Sequence, residues 1–272
     1  MRHCFIGLVA ALFLIGCQEG SDKKEVENIV AKDPNILEKY QGEEPITPEA
    51  TEVYEPVPPR VTLDEKGVPS DAIVLFNGTN LDEWISATDS TAAKWTINDD
   101  ASMTVKDKSG NIQTKRNFGS IQLHLEWKSP GEVINEGQAR ANSGVFIQQR
   151  YEIQILDNND NPTYTNGQVG SVYKQSIPLA MASAPTGEWN TYDIIFHAPE
   201  FKDEKLTKPA YVTVLHNGVL IQDHFEIEGI IKYIGWPKYE AHGKAPIVLQ
   251  DHQDNSRVSY RNIWVRELQM SL

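Results

Sequence analysis

The sequence predicts an all-β fold, a two-sheet antiparallel β-sandwich formed by residues 71–272. Short runs in which apolar and polar residues alternate recur along this region, and turn dipeptides such as Asn217-Gly218 separate them. No amphipathic helical pattern in it continues beyond two turns. Many short strands with few helices are typical of a sandwich, and the region is long enough to bury a substantial core.

The chain opens with the pattern of a lipoprotein signal peptide, residues 1–17. Arg2 gives a positively charged start, and the apolar run from Phe5 to Ile15 is too short to span a bilayer as a mature helix. Small residues then lead into Cys17, which resembles the bacterial lipobox, where cleavage precedes a lipidated cysteine. We therefore expect a lipid anchor at Cys17 and attachment to a membrane of the bacterial cell envelope, on the periplasmic side or at the surface. An uncleaved membrane anchor is the alternative.

Residues 18–70 are predicted to form a disordered acidic tether. They hold seven of the fifteen prolines, with thirteen acidic residues against six basic ones. Such a composition cannot bury enough apolar surface to offset the entropy of ordering the chain. The sequence thus divides into the signal peptide with its cysteine (1–17), the tether (18–70) and the sandwich domain (71–272).

Charge and residue usage exclude several classes of function. The net charge is −13, so the chain lacks the basic surface that binds a nucleic acid backbone. No glycine-rich phosphate loop is present. Cleavage at the lipobox leaves Cys17 alone, which excludes disulfides and zinc–cysteine sites. We predict no cofactor and no metal site, and the sequence leaves open a role for a divalent cation.

The candidate site centres on two short strands between Asn142 and Asp157. In the second strand, apolar residues alternate with Glu152 and Gln154, so these two side chains share the face opposite the core. We expect Glu152, like His252, to face solvent. A carboxylate beside a carboxamide can line a polar groove and bind a sugar through hydrogen bonds. An ordinary solvated strand face is the alternative.

The spacing from Glu152 through Gln154 to Asp157 resembles the Glu-x-Asp-x-x-Glu strand of glycoside hydrolase family 16. An offset of five residues puts Glu152 and Asp157 on opposite faces of a strand unless a β-bulge intervenes. Retaining glycosidases need their two carboxyl groups about 5–5.5 Å apart. We therefore expect Asp157 to begin a turn, and a retaining β-glucanase remains an alternative.

His252 is the histidine most suited to proton transfer. It lies at the end of a predicted strand, where its phase places it on the same face as Gln250 and where a groove opens to solvent. A histidine there can take or give a proton near neutral pH. A turn histidine that binds loop carbonyls is the alternative. In the irregular segment 232–244, Trp236 and Tyr239 are candidates for the rim of a groove.

Several motifs, in the right order, resemble the 3-keto-disaccharide hydrolase domain family. They are Gly137-Gln138-Ala-Arg140-Ala-Asn142-Ser143-Gly144, Tyr151-Glu152-Ile-Gln154-Ile-Leu-Asp157, Gly167-Gln168-Val-Gly170-Ser-Val-Tyr173, Gly187-Glu188-Trp189-Asn190, and Leu249-Gln250-Asp251-His252 followed by Tyr260-Arg261-Asn262-Ile-Trp264. The resemblance covers residues 71–272 and implies a concanavalin A-like jelly-roll that acts on 3-keto-glycosides. Lys174 stands where the family often has glycine, and we expect it to alter the groove locally.

Strand phase and the resemblance together define the predicted site. Glu152, Gln154 and His252 are the expected catalytic residues. The residues expected to bind the sugar are Arg140, Asn142, Ser143, Arg150, Asp157, Tyr173, Gln250, Asp251 and Arg261.

The substrate implied by the resemblance suggests its own chemistry. A ketone at C3 acidifies the hydrogen on C2, so a base can form an enolate that expels the C1 substituent, and water then completes net hydrolysis. Glu152 or His252 would be the base, with the other protonating the leaving oxygen. Donors such as Gln154 or Arg150, or a bound cation, would stabilise the enolate. A family 16-like glucanase and a non-catalytic carbohydrate-binding module are the alternatives.

Overall fold

The computed structural model of the protein describes residues 44–268. Cys17, the predicted signal peptide and much of the predicted tether lie outside the described residues. The described residues belong to two units, residues 44–59 to the first and residues 60–268 to the second. In the first unit, residues 44–59 are all exposed and contain one 3-10 helix, Pro48–Thr51. No helix among the described residues is long and apolar enough to cross a bilayer.

The second unit consists of short strands, as the alternating pattern predicts. Residues 44–268 include no α-helix, and two further 3-10 helices occur in this unit, Gly137–Ala139 and Thr165–Gly167. The strands are β1 (Ile73–Phe76), β2 (Trp84–Ser86), β3 (Thr96–Ile97), β4 (Met103–Thr104), β5 (Ile112–Thr114), β6 (Ile121–Lys128), β7 (Ser143–Ile147), β8 (Tyr151–Ile155), β9 (Asn190–His197), β10 (Glu200–Lys202), β11 (Lys205–Lys208), β12 (Tyr211–His216), β13 (Val219–Glu226), β14 (Val248–Leu249) and β15 (Ser259–Glu267).

Two antiparallel sheets form the sandwich. The larger sheet has eight strands in the order β13-β12-β9-β6-β15-β4-β3, with β1 also paired to β15. The smaller sheet has five strands in the order β2-β5-β14-β7-β8, and β10 and β11 form a separate hairpin. Strands far apart in sequence, such as β6 and β15, are neighbours, as jelly-roll connections require. The predicted all-β jelly-roll sandwich is confirmed.

The core lies between the inner faces of the two sheets. Hydrogen bonds cross the core where buried hydroxyl groups need partners. The Tyr192 hydroxyl of the larger sheet donates to the Gln154 carbonyl at 2.8 Å, and the Ser143 and Tyr260 hydroxyls lie 2.6 Å apart. The inward side chains of β6 are buried while the alternate ones are partly exposed, as predicted, and the buried set is Ile121, Leu123, Leu125 and Trp127.

A short bridged turn precedes β1. Leu63 pairs with Pro69, and the Asp64 carboxylate accepts hydrogen bonds from the backbone N–H groups of Lys66 and Val68, each at 2.8 Å. Pro69 is buried. The compact unit therefore includes residues 60–70, which the sequence assigns to the tether.

Candidate active site

The candidate site is built on the pairing of β7 with β8. Gly144 pairs with Gln154 and Phe146 with Glu152, and no register shift interrupts the ladder. Because side chains alternate along a strand, Tyr151 and its apolar neighbours enter the core while Glu152 and Gln154 point to the outer face of the smaller sheet. This arrangement agrees with the phase read from the sequence.

The outer face at this point is not solvated. Glu152 is 5% exposed and Gln154 is 1% exposed, so the expectation that Glu152 faces solvent is wrong. The cause is two loops, 137–142 and 163–168, that fold over the strand. The Gln154 amide nitrogen lies 3.2 Å from the Gln138 side-chain oxygen and 3.3 Å from the Gly167 carbonyl. An ordinary solvated strand face is excluded.

Burial perturbs the Glu152 carboxyl strongly. It raises the pKa of this group to about 8, because the charged form loses its hydration. Among the described side chains, none donates a hydrogen bond to it. The carboxyl lies over the backbone of β7, where a Cβ at Gly144 would come within 2.4 Å of Glu152 Oε1. Glycine at this position therefore makes room for the carboxyl.

Two phenols lie close to Glu152. The Tyr164 and Tyr173 hydroxyls are 2.6 Å apart, and the Tyr164 hydroxyl donates to Gln138 Oε1 at 3.0 Å. Burial raises the pKa of both phenols, and the nearby charge of Glu152 adds to the effect. Both therefore stay protonated near neutral pH, and in this arrangement Tyr164 donates to Gln138 and Tyr173 donates to Tyr164. Tyr164 was not predicted from the sequence, because a tyrosine in an irregular loop belongs to no pattern from which its partner can be inferred.

Gln250 completes this face of the sheet. Its backbone N–H donates to the Gly144 carbonyl at 3.1 Å, and its side-chain oxygen is buried without a partner. A separate cavity of about 230 Å³ lies near this face, and Gln113, Phe146 and Val248 are among the residues that line it. We call the following five residues the Glu152 site: Glu152, Gln154, Tyr164, Tyr173 and Gln250.

Arg140 and Asp157 form a buried ion pair instead of lining the Glu152 site. The Arg140 Nε and Nη2 atoms both lie 3.1 Å from Asp157 Oδ2, and the Thr186 hydroxyl donates to the same oxygen at 2.9 Å. The other Asp157 oxygen accepts the Asn159 backbone N–H, so Asp157 begins a turn, as expected. With its oxygens bound in this way, Asp157 is not available as a second catalytic carboxylate beside Glu152.

Two further predicted sugar ligands hold backbone around the site. The Ser143 hydroxyl faces the core and donates to the Gln250 carbonyl at 2.6 Å. The Asn142 amide donates to the Gln138 carbonyl at 2.7 Å, which fixes the loop over β8. The Asn142 side-chain oxygen is buried without a partner. Ser143 and Asn142 therefore hold the backbone next to the Glu152 site, at Gln250 and at Gln138.

Arg150 and Asp251 also hold turns. Arg150 donates to the Gln148 carbonyl at 2.9 Å within the bend between β7 and β8. The Asp251 carboxylate is buried and accepts the backbone N–H groups of Gly110, at 2.9 Å, and of Gln253, at 3.0 Å. Both side chains therefore have structural partners where they were expected to bind a sugar.

His252 and Arg261 are not in contact with Glu152. His252 is bonded to Asp254, with 2.7 Å between Nδ1 and the carboxylate, and its side chain is 37% exposed. Arg261 lies on the outer face of the larger sheet, on the opposite side of the sandwich, because Tyr260 before it points inward. Its Nε donates to Glu126 at 2.6 Å, and its guanidinium lies 4.0 Å from the Trp189 ring centre.

A cavity of about 780 Å³ adjoins Arg261, and the bridged turn 63–69 forms part of its wall. It lies on the far side of the sandwich from the buried carboxyl, so this cavity and the Glu152 site do not coincide. We take the chemistry of Glu152 as the better indicator of an active site. Within residues 44–268, no group of three His, Cys, Asp or Glu side chains could hold a metal ion.

Comparison with known proteins places the chain in a family. A family model described as a 3-keto-alpha-glucoside-1,2-lyase-like domain matches residues 71–266. The chain belongs to this family. The resemblance read from the sequence motifs is thereby confirmed. The lyase-like domain includes the strands and loops of the Glu152 site.

Solved structures agree with this assignment. A crystal structure of a candidate glycosyl hydrolase from Parabacteroides distasonis is 51% identical, with a TM-score of 0.79, and the match covers 84% of this chain and 99% of that one. A second candidate glycosyl hydrolase from the same organism, 20% identical with a TM-score of 0.55, shares the fold over 73% of this chain and 94% of its own. No curated protein matches this chain.

Proposed function

We propose that this chain is an enzyme that cleaves the glycosidic bond of 3-keto-glycosides by elimination across C1 and C2. The family description names a 3-keto-alpha-glucoside 1,2-lyase, and a relative with 51% identity is described as a candidate glycosyl hydrolase. The observation that carries the proposal is the buried Glu152 carboxyl, whose pKa is raised to about 8. A group that exchanges its proton near neutral pH is suited to general base catalysis.

In the proposed reaction, the C3 ketone acidifies the hydrogen on C2. The Glu152 carboxylate takes that proton, and the C2–H electron pair forms the enolate. The enolate then restores the ketone, forms a double bond between C1 and C2, and expels the C1 oxygen, which takes up a proton. Addition of water across the double bond completes net hydrolysis.

Neighbouring groups have supporting roles in this proposal. The Tyr164 and Tyr173 phenols would donate hydrogen bonds to the enolate or protonate the leaving oxygen after turning away from their present acceptors, Gln138 and Tyr164. Gln154 uses its amide nitrogen on Gln138 and Gly167, so we assign it the role of holding the loops over the substrate. His252, whose imidazole contacts Asp254, remains a second candidate for proton transfer.

The test uses the purified mature chain with a 3-keto-glycoside and with the unoxidised parent glycoside, and it identifies products by mass spectrometry. We expect turnover of the keto substrate only, and a fall of about 10²–10⁴-fold in Glu152→Gln, the usual range for a lost general base. His252→Ala is the companion variant. Turnover of the parent glycoside would contradict the elimination mechanism, and binding without turnover of either would indicate a carbohydrate-binding module.

A retaining β-glucanase has less support. That mechanism needs a second carboxyl about 5–5.5 Å from Glu152. The candidate for this role, Asp157, is committed to Arg140 and Thr186, and β7 and β8 pair without a bulge that would turn it to the same face.

We also propose that the enzyme is a lipoprotein of the bacterial cell envelope, anchored through Cys17. The support is the apolar run that ends in small residues before that cysteine. Cys17→Ser should release the protein from the membrane fraction of cells. Retention of the variant in that fraction would contradict the proposal.

A further inference from the structure

The loop 229–238, between β13 and β14, exposes large aromatic side chains. Tyr233 is 73% exposed and Trp236 is 88% exposed. Burying a tryptophan contributes much to folding or binding, so a ring that is left in solvent is available to bind a ligand.

Backbone hydrogen bonds attach the two ends of this loop to each other and to the bend at Arg150. The Ile230 N–H donates to the Lys238 carbonyl at 3.1 Å, and the Ile231 N–H donates to the Arg150 carbonyl at 3.0 Å. Gly229 has φ +134°, and a Cβ there would lie 2.3 Å from the carbonyl carbon of Lys238, so only glycine closes the loop without strain. The exposed rings are therefore presented from a defined base.

Lys174 connects the loop to the Glu152 site. Its ammonium donates to the Tyr233 carbonyl at 2.7 Å and lies 4.4 Å from the centre of the Tyr233 ring. It also lies 5.5 Å and 5.7 Å from the ring centres of Tyr164 and Tyr173. The backbone of Lys174 has φ +60°, a left-handed conformation that is uncommon for a residue with a side chain. Such strain is often found at functional positions.

A cleft of about 270 Å³ lies between the loop and the site. Tyr173 and Lys174 line it on one side, and Tyr233, Trp236 and Pro237 line it on the other. Tyr173 belongs both to this cleft and to the Glu152 site. A ligand in the cleft would therefore contact Tyr173, one of the two phenols that we propose assist the reaction.

We propose that this cleft is the subsite for the leaving group of the substrate, and that it takes a pyranose ring stacked on Trp236. The inference rests on the proposed function, and it assigns the binding of the leaving sugar to residues of this cleft. Sugar rings present apolar C–H faces that pack on aromatic rings. The Lys174 ammonium would donate hydrogen bonds to hydroxyl groups of that ring.

The test compares two substrates that differ only in the leaving group, a 3-keto-disaccharide and the corresponding methyl 3-keto-glucoside. Trp236→Ala should raise KM for the disaccharide roughly tenfold, the loss expected for one stacked ring, and should leave the methyl glycoside unchanged. Trp236→Tyr should restore most of the loss. Ile234→Ala is the matched control, since Ile234 is 83% exposed on the same loop but has no ring.

Any of the following results would contradict the proposed subsite. If the wild type turns over both substrates and Trp236→Ala affects them equally or not at all, the subsite is wrong while the proposed function stands. If the wild type turns over neither, the proposed function fails and the subsite fails with it. Trp236 could instead contact a second copy of the chain. In that case the molecular mass in solution would rise with protein concentration, and Trp236→Ala would abolish this rise without changing turnover.

Discussion

Among single residues, Glu152 is the one whose burial costs the folded state free energy in a way that points to function. An ionised carboxyl in a buried site loses hydration, and no described side chain donates a hydrogen bond to replace it. A glutamine there would keep the shape of the side chain without the charge. The fold thus retains a destabilising group at the place where the proposed reaction needs a base.

This cost makes the stability of the protein depend on pH. The folded pKa of Glu152 is raised from 4.5 to about 8, so between these pH values the folded state holds a proton that the unfolded state has released. Stability should therefore fall as pH rises from about 4.5 to 8, by about 1.4 kcal/mol per pH unit at most. Glu152→Gln should remove this slope and be more stable than wild type at pH 9 by a few kcal/mol.

Chemical denaturation at several pH values measures the effect. The matched control is Glu188→Gln, because Glu188 is exposed and its replacement should leave the slope as in the wild type. Parallel pH profiles for wild type and Glu152→Gln would show that Glu152 does not carry the raised pKa.

At the scale of elements, the register of β7 against β8 positions the carboxyl. Gly144→Ala would place a Cβ 2.4 Å from Glu152 Oε1, so the carboxyl must move. We expect kcat/KM on a 3-keto-glycoside to fall by about 10²-fold, since misplacing a catalytic group by about 1 Å has an effect of that size. The control is Gly243→Ala, where an added Cβ meets nothing within 4 Å. Equal kinetics in the two variants would contradict the placement of Glu152.

The loops at the end of β8 depend on the Arg140–Asp157 pair. Arg140→Ala leaves a buried carboxylate without its partner, and we expect the free energy of unfolding to drop by about 3–5 kcal/mol. Arg266→Ala is the control, since its pair with Asp71 is much more exposed and should contribute less than about 1 kcal/mol. Urea denaturation measures both. A stable Arg140→Ala with weakened sugar binding would instead support the sugar-binding role that the sequence suggests.

The alternating pattern in β8 was enough to predict that Glu152 and Gln154 share a face, because a strand has a period of two. It could not predict their burial, since the covering residues Gln138 and Gly167 come from loops without periodicity. The same limit explains Arg140: its type suits a sugar ligand, but its partner Asp157 is known only once the chain has folded. Long-range pairs of this kind have no local signal.

At the scale of the whole molecule, the sandwich presents different chemistry on its two outer faces. The smaller sheet carries the buried carboxyl, and the larger sheet carries the paired Arg261 and Glu126. The jelly-roll itself was predictable from strand alternation and from the family motifs. The start of the compact unit at Arg60 was not, because the turn around Asp64 lies in a proline-containing acidic stretch that resembles a tether.

Truncation tests that boundary. A chain that starts at Arg60 should unfold at the same temperature as a chain that starts at Glu44, because residues 44–59 are all exposed. A chain that starts at Asp71 should lose more than about 1 kcal/mol, because it lacks the Leu63–Pro69 bridge and the buried Pro69. Equal stability of the two truncated chains would show that residues 60–70 contribute nothing to the sandwich.

Isotope labelling in D₂O tests most directly whether Glu152 removes the C2 proton of the substrate. After cleavage of a 3-keto-glycoside, mass spectrometry should find solvent deuterium at C2 of the product, or a double bond between C1 and C2. The 3-keto product incubated without enzyme corrects for spontaneous exchange, and Glu152→Gln should not exceed that background. Cleavage by the wild type with the original C2 hydrogen retained would mean direct hydrolysis and would contradict the account.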